Sequence, residues 1–237
     1  MPNPIHQVSL RHRAGAFDLD VQFTLDAPWT ALFAPSGAGK TTILRMIAGL
    51  DTPDTGRISA TSVDQPEIVF LNTVAGICVP PQRRSIRMVA QRPALFPHLS
   101  VIQNLQYGNS LHGGLDDIMK LSRVTHLRNK LPAQLSGGER QRVALARTLA
   151  ATGCRLLLLD EPFTGLESSL RDDLIRDLRI WTQTRDIPVL LVTHDLGEVF
   201  AADAQVLKME AGRIVASGPA AEVLAPERDR LIQRLQP

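Results

Sequence analysis

The chain has 237 residues, 44% hydrophobic and 21% charged, the make-up of a soluble globular protein with one substantial domain or a domain with a smaller lobe. A formal charge of +2 is too small to argue for a nucleic-acid partner. Cys78 and Cys154 lack a paired spacing, so reduced thiols in a cytosolic setting are expected.

The start, Met1 to His6, shows no basic segment followed by an apolar core, so no signal peptide is expected. The longest apolar runs, 156–159 and 188–192, fall far below the roughly 20 residues that span a bilayer. Any membrane this protein serves must be crossed by a separate chain.

Phe17, Leu19, Val21, Phe23 and Leu25 alternate with polar residues, the period of a half-buried strand. Phe17, and more weakly His12 and Arg13 in the preceding turn, are candidates to stack on a purine, although the apolar face of Phe17 favours the core. Trp29 to Phe33 reads as a short buried strand. Ala34, Pro35, Ser36, Gly37, Ala38, Gly39, Lys40, Thr41 and Thr42 follow, and Ile43, Leu44 and Ile47 then carry a helical spacing ended by Gly49.

A strand, a glycine-bearing turn and a helix start are what a phosphate-binding loop requires. Unpaired amides and the helix dipole favour an anion there, and Gly37 and Gly39 let the backbone approach it closely. Lys40 would reach the terminal phosphates, and the Thr41 hydroxyl would hold Mg²⁺. The pattern G-x-x-x-x-G-K-[ST] asks for glycine where this chain has Ala34. That methyl group is harmless if the backbone there has a negative φ, as expected.

Turn residues fill 51–56, and Arg57 to Ala60 reads as a strand. Residues 61–84 are expected to be irregular. Ser85 to Ala90 is a strand delivering Gln91; Pro93 to Pro97 is turn-rich and apolar; Ser100 caps a helix running to Tyr107. From Leu111 to Thr152 the pattern is helical throughout, broken at Pro132 and at Ser136, Gly137 and Gly138. In the last of these helices Val143, Leu145, Ala146 and Leu149 share a side, and Arg140, Arg142 and Arg147 are expected on a solvated face. Four leucines then lead to Asp160 and Glu161, a strand apolar at every position and so buried on both faces. A helix over 168–184, a buried strand from Pro188 to Thr193 delivering His194, a hairpin over 204–217 and short helices complete the chain.

Strand ends at 34, 91, 160 and 194, with Leu135-Ser136-Gly137-Gly138-Glu139 between them, resemble the ABC-type ATPase family over nearly the whole chain. The resemblance implies an α/β fold: a P-loop NTPase core with a mixed, largely parallel sheet, an antiparallel β subdomain and an inserted helical subdomain. The core would cover about 1–91 and 153–237, and the helical part about 92–152. ATP and Mg²⁺ are the implied cofactors. A hard carboxylate at Asp160, with Thr41 and Gln91, suits Mg²⁺; Glu161 is placed to polarise the attacking water. Gln91 would touch both metal and water, and His194 would donate to the γ-phosphate. Ser136, Gly137, Gly138 and Glu139 would form a second phosphate cradle at a helix start. In the family that cradle closes on ATP held by a second copy. The segment after Glu161 departs from the family by ending in Glu167 rather than Asp.

A single P-loop and signature, with Gln91 to Val101 and Asn104 to Gly108, look like importer subunits; Gly76 to Arg84 resembles molybdate importer ATPases. The chain would end before the C-terminal oxyanion-binding domain that many of those carry. The expectation is an ATPase at the cytoplasmic face of the membrane that drives a separate permease, with Phe96 and Pro97 at the contact and a solute-binding protein as an indirect partner. Molybdate is the expected solute; sulfate, a sugar, or a soluble non-transport switch are the alternatives.

Overall fold

The computed structural model describes residues 5–15, 17–62, 65–107 and 114–235. The expectations for residues 1–4, Gly108 and Leu111 lie outside them. In chain order the strands are β1 (Ile5–Ala14), β2 (Phe17–Leu25), β3 (Trp29–Phe33), β4 (Thr55–Thr61), β5 (Ile68–Asn72), β6 (Ile77–Cys78), β7 (Ile86–Val89), β8 (Leu156–Asp160), β9 (Val189–Thr193), β10 (Gln205–Glu210) and β11 (Arg213–Pro219). They form two sheets, β2-β1-β4-β5-β6 and β11-β10-β3-β9-β8-β7.

In the second sheet β10, β3, β9, β8 and β7 are mutually parallel, and β11 closes one edge antiparallel. Its runs of apolar residues follow from burial on both faces. Leu156, Leu158, Leu190 and Val192 point into one cluster, whereas Leu157, Leu159, Val189 and Leu191 point into another. The first cluster is shared with the antiparallel sheet, where Leu19, Val21, Phe23 and Leu25 occupy the inward positions of β2.

Helix α1 (Lys40–Ala48) lies in that first cluster, with Ile43, Leu44, Met46, Ile47 and Ala48 all buried between the sheets. Its C-terminal end is tied down twice. Gly49 adopts a left-handed φ of 80°, and its amide returns to Met46 O, a glycine-dependent helix stop. Arg84, 1% exposed, donates to the carbonyls of Met46 (2.8 Å), Ile47 (2.9 Å) and Val79 (2.7 Å). A guanidinium at a helix C-terminus also meets the negative end of its dipole.

Two expectations fail on this side of the molecule. Residues 61–84 are not all irregular, because β5 and β6 extend the antiparallel sheet to its edge and a short 3₁₀ turn follows at Pro81–Arg83. His12 and Arg13 are not in a turn; they belong to β1, paired with Leu19 and Asp18 of β2.

The helices α2 (Val101–Gln106), α3 (Leu115–Leu121) and α4 (Gly137–Ala150) enclose a third cluster that includes Val101, Leu105, Met119, Leu127 and Val143. Residues 111–152 are not helical throughout. After α3 the chain turns at Arg123, with φ 56°, and passes through 3₁₀ turns at Thr125–Leu127 and Pro132–Gln134. Ser100 caps α2 with a full capping box, as its position before the apolar run leads one to expect. The remaining helices are α5 (Ser168–Gln183), α6 (Leu196–Ala201), α7 (Ala220–Val223) and α8 (Ala225–Leu235). Among the described residues no helix is long and apolar enough to cross a membrane.

Arg84→Ala would strand buried carbonyls and open a cavity at the end of α1. A loss of about 3–5 kcal/mol is expected in urea unfolding of the isolated chain, whereas Arg83→Ala, at an exposed neighbour, should stay within about 0.5 kcal/mol.

Candidate functional site

The turn from β3 into α1 needs two glycines for its shape. Gly37 and Gly39 have φ of 82° and 91°, and a Cβ on Gly39 would lie 2.6 Å from the Phe17 ring. Phe17 therefore packs beneath the loop and against the core, the second of the two roles open to it. Ala34 has no positive φ, and its side chain is 1% exposed within the core. Its methyl group thus meets no backbone penalty.

Helix α1 has neither a side-chain cap nor an acidic residue in its first turn, which leaves its leading amides open to an anion. A hollow of about 280 Å³ over this turn is lined by Ser36, Gly37, Gly39, Lys40, Thr41, Thr42, Gln91 and Glu161.

Lys40 is 5% exposed and folds back on its own loop, donating to the carbonyls of Ala34 (2.7 Å) and Pro35 (2.9 Å). Burial pulls its ammonium below the usual lysine range, opposed by Glu161 and Asp160. The Thr41 hydroxyl donates to Asp160, 2.9 Å from Oδ2 and 3.1 Å from Oδ1. Burial raises the Asp160 carboxyl above its usual range, and the Thr41 bond works against this. A carboxylate short of compensating charge beside a hydroxyl, both hard oxygen donors, fits a small divalent cation. Among the described residues no group of three or more His, Cys, Asp or Glu could hold a metal ion, so such an ion would complete its shell with water and phosphate oxygens.

Successive side chains of a strand point to opposite faces, and on that rule Asp160 and Glu161 could not both serve one site. The backbone breaks the rule at Glu161, whose φ is 45°, a conformation costing about 1–2 kcal/mol for a residue with a Cβ. Both carboxylates consequently reach the loop. Glu161 Oε1 lies 3.9 Å from Lys40 Nζ and 3.2 Å from His194 Nδ1, and Oε2 accepts from Gln91 Nε2 at 3.1 Å. The loop, Gln91, Asp160, Glu161 and His194 are thus brought together at the C-terminal ends of β3, β7, β8 and β9.

Ser136, Gly137, Gly138 and Glu139 are not part of that hollow; they start α4. Ser136 and Glu139 form a reciprocal capping box, Ser136 N to Glu139 Oε2 at 2.7 Å and Glu139 N to Ser136 Oγ at 3.2 Å. These bonds hold the Glu139 carboxyl below its usual range. The Ser136 hydroxyl also bonds the Glu139 carboxyl, beside the leading amides of α4. Gly138 packs on the segment following Glu161, since a Cβ there would meet Leu166 at 2.9 Å.

A search of family models matches residues 19–164 to the ABC transporter family. The chain belongs to that family. Curated relatives include the molybdenum import ATP-binding proteins ModC of Rhizobium johnstonii, 40% identical over 92% of this chain and 61% of the relative, and of Brucella suis, 38% identical over 91% and 60%. This ABC transporter chain spans about three fifths of the length of those curated relatives. Among solved structures it resembles cbiO1 from Clostridium perfringens, part of the cbiONQ transporter complex, with a TM-score of 0.73 and 25% identity over 99% of this chain and 96% of that one. A bacterial ABC transporter cassette solved as a dimer shares the fold at a TM-score of 0.73 and 23% identity, over 91% of this chain and 98% of that one.

In this ABC transporter chain Phe96, five residues beyond Gln91, is half-buried and its ring packs on Tyr107, with centroids 4.2 Å apart, while Pro97 is exposed. The Phe96 loop is held by buried Asn104, which accepts from Phe96 N and donates to the carbonyls of Phe96, Leu99 and Ser100. Arg147 lies over the Phe96 ring at 5.2 Å, and Arg142 donates to Arg123 O. The expectation of a solvated face therefore fails for both arginines, whose guanidinium groups burial pushes below their usual range, and holds for exposed Arg140.

Sequence reasoning missed the residues behind His194. Glu198 of α6 is 4% exposed, and burial raises its carboxyl to about 7, with a Thr193 hydrogen bond opposing the shift. An acid raised in the folded state binds its proton there more tightly than in the unfolded chain, so stability falls as pH rises from the ordinary glutamate range to about 7. Glu198→Gln removes this dependence. Thermal melts at pH 5 and pH 8 should show the variant gaining on the wild type by about 2–3 kcal/mol between them; a pH-independent gap would remove the assigned cause.

Proposed function

We propose that this chain is the ATP-hydrolysing subunit of an importer, acting as a pair of copies on the cytoplasmic face of a membrane, beneath a separate permease. The observation that carries this is the convergence of Lys40, Thr41, Asp160, Glu161, Gln91 and His194 on one anion-binding helix start. The amides of residues 37–42 would hold the polyphosphate of ATP, with Lys40 leaving the Ala34 and Pro35 carbonyls for the terminal phosphates. Thr41, Asp160 and Gln91 would hold Mg²⁺, which supplies charge neutralisation on those phosphates when bound.

Glu161 would accept a hydrogen bond from the attacking water and so polarise it, and its strained backbone fixes its direction. Gln91 and His194, each already bonded to Glu161, would pass from it to the water and the γ-phosphate respectively. Ser136, Gly137, Gly138 and Glu139 stand apart from the hollow at the start of α4, which suits a cradle for the ATP of the other copy. One such contact from each copy gives a head-to-tail sandwich of two nucleotides.

The cargo assignment is molybdate. It rests on the likeness to the molybdenum import proteins, which extends over nine tenths of this chain. An extracytoplasmic solute-binding protein would deliver the oxyanion to the permease. The Phe96 loop is the assigned contact with that permease. It follows Gln91 by five residues, and it presents a half-exposed aromatic ring beside exposed Tyr107 and Pro97.

Glu161→Gln should retain ATP binding and slow hydrolysis by about 10²–10⁴-fold, whereas Lys40→Ala should lose nucleotide affinity. Phosphate release and equilibrium binding check both, and near-normal turnover of Glu161→Gln removes its assigned role. Phe96→Asp should leave the melting temperature of the isolated subunit within about 4 °C of wild type and its ATP affinity unchanged, since the new carboxylate can pair with Arg147. Molybdate uptake by the reconstituted complex should be lost. Uptake that survives the substitution would place the contact elsewhere.

A further inference from the structure

His194 follows Thr193, the last residue of β9, and precedes α6 by one residue, so its position depends on how those two elements are joined. The join is a ring of hydrogen bonds. The Asp195 amide donates to Thr193 Oγ1 at 3.0 Å, and Asp195 Oδ1 accepts the Glu198 amide at 3.2 Å. The Thr193 hydroxyl in turn bonds the Glu198 carboxyl. Asp195 Oδ2 accepts from Arg171 Nη1 at 3.0 Å.

Arg171 belongs to the first turn of α5, and its own amide is bonded to Glu167 O at 2.9 Å. Its guanidinium lies against Gly197, where a Cβ would come within 2.7 Å of Nη2. A six-residue helix needs only the Asp195 cap. The buried Glu198 carboxyl, with Oε2 unpartnered, and the largely buried Arg171 go beyond that need, and an unpaired buried polar atom is a cost that capping alone does not explain.

We infer that Glu198, Asp195 and Arg171 form a brace that positions His194 against Glu161 and ties it to the first turn of α5, directly after residues 164–167. Glu198 is a positioning residue in this scheme, which rests on the ATPase reading above. The titratable and charged groups facing it are Asp195 at the N-cap of α6, Arg171 on α5 and His194 just after β9. Ionised Glu198 attracts Arg171 and repels Asp195, while its neutral form leaves Arg171 to Asp195 and Asp172. Because burial raises this carboxyl to about 7, its ionisation through neutrality adds a pull on Arg171 within the brace, at the cost in overall stability given above.

The test uses the full chain with MgATP from pH 6 to 8.5, comparing wild type, Glu198→Gln, Arg171→Gln and the double variant. In wild type kcat should rise through about pH 7, and Glu198→Gln should lose that rise, falling about tenfold at pH 8 with KM within twofold. The double variant should be no worse than the poorer single one, as expected of a shared network. The imidazole resonances of His194, identified by their absence in His194→Ala, should shift in Glu198→Gln without any turnover being needed. Superimposable normalised pH profiles, additive losses, or unmoved His194 resonances would each overturn the brace. A wild-type chain that hydrolyses no ATP would instead sink the ATPase reading, and the resonance shift would still decide the brace.

Discussion

A parallel sheet buried on both faces has nowhere to put a polar side chain except at its strand ends, and this constraint organises the molecule. β3, β8 and β9 spend their inner residues on two apolar clusters, one on each side. Reactive side chains are thereby concentrated at one edge, where α1 also begins. Packing α1 between the two sheets, with Arg84 and Gly49 closing its far end, aims its open amides at that edge. The open side of a sheet beyond its strand C-termini is the general place for ligands in α/β proteins.

Charge balance explains the geometry inside the hollow. Asp160 and Glu161 share a water-poor space with Lys40, and burial disfavours the ionised form of both Asp160 and Lys40. Lys40 meets this by bonding two loop carbonyls, and Asp160 by accepting from Thr41. Each bond can be exchanged for one to a phosphate or to a cation without exposing new apolar surface. The donors and acceptors are thus gathered at one place before the ligand arrives, and binding exchanges their partners. The left-handed backbone at Glu161 is the most direct sign of that gathering, because only a well-determined environment holds a glutamate there.

The central sheet and the loop were legible in the sequence, since continuous apolar runs ending in polar residues have few other solutions. β1 was less so. Its inward positions include His6 beside Val8 and Leu10, and a buried histidine disguises the alternation that marks a half-buried strand. β6, two exposed residues at a sheet edge, carries no pattern at all. Arg84 and Glu198 could not be found from spacing, because a charged residue buried against carbonyls or beneath a helix start looks the same in sequence as one on a solvated face. Arg147 failed for a related reason: its stem and guanidinium cover an aromatic ring, as amphipathic side chains often do. Gln91, Asp160, Glu161 and His194 were each readable by position, but the bonds that join Gln91 and His194 to Glu161, and Thr41 to Asp160, come only with the fold.

The absence of glycine at position 34 illustrates how far a sequence pattern can be relaxed. A glycine is favoured where φ is positive or where a neighbouring group leaves no room for a Cβ, and at Gly39 both conditions hold, with the Phe17 ring pressed beneath it. Ala34 meets neither condition. Its carbonyl is the part of the residue that Lys40 uses, and a carbonyl is the same in glycine and alanine. The methyl group instead adds apolar area to the cluster beneath the loop, and Ala restricts the unfolded chain more than Gly does. The substitution therefore acts on the stability of the strand-to-helix turn and leaves the phosphate-facing atoms unaltered.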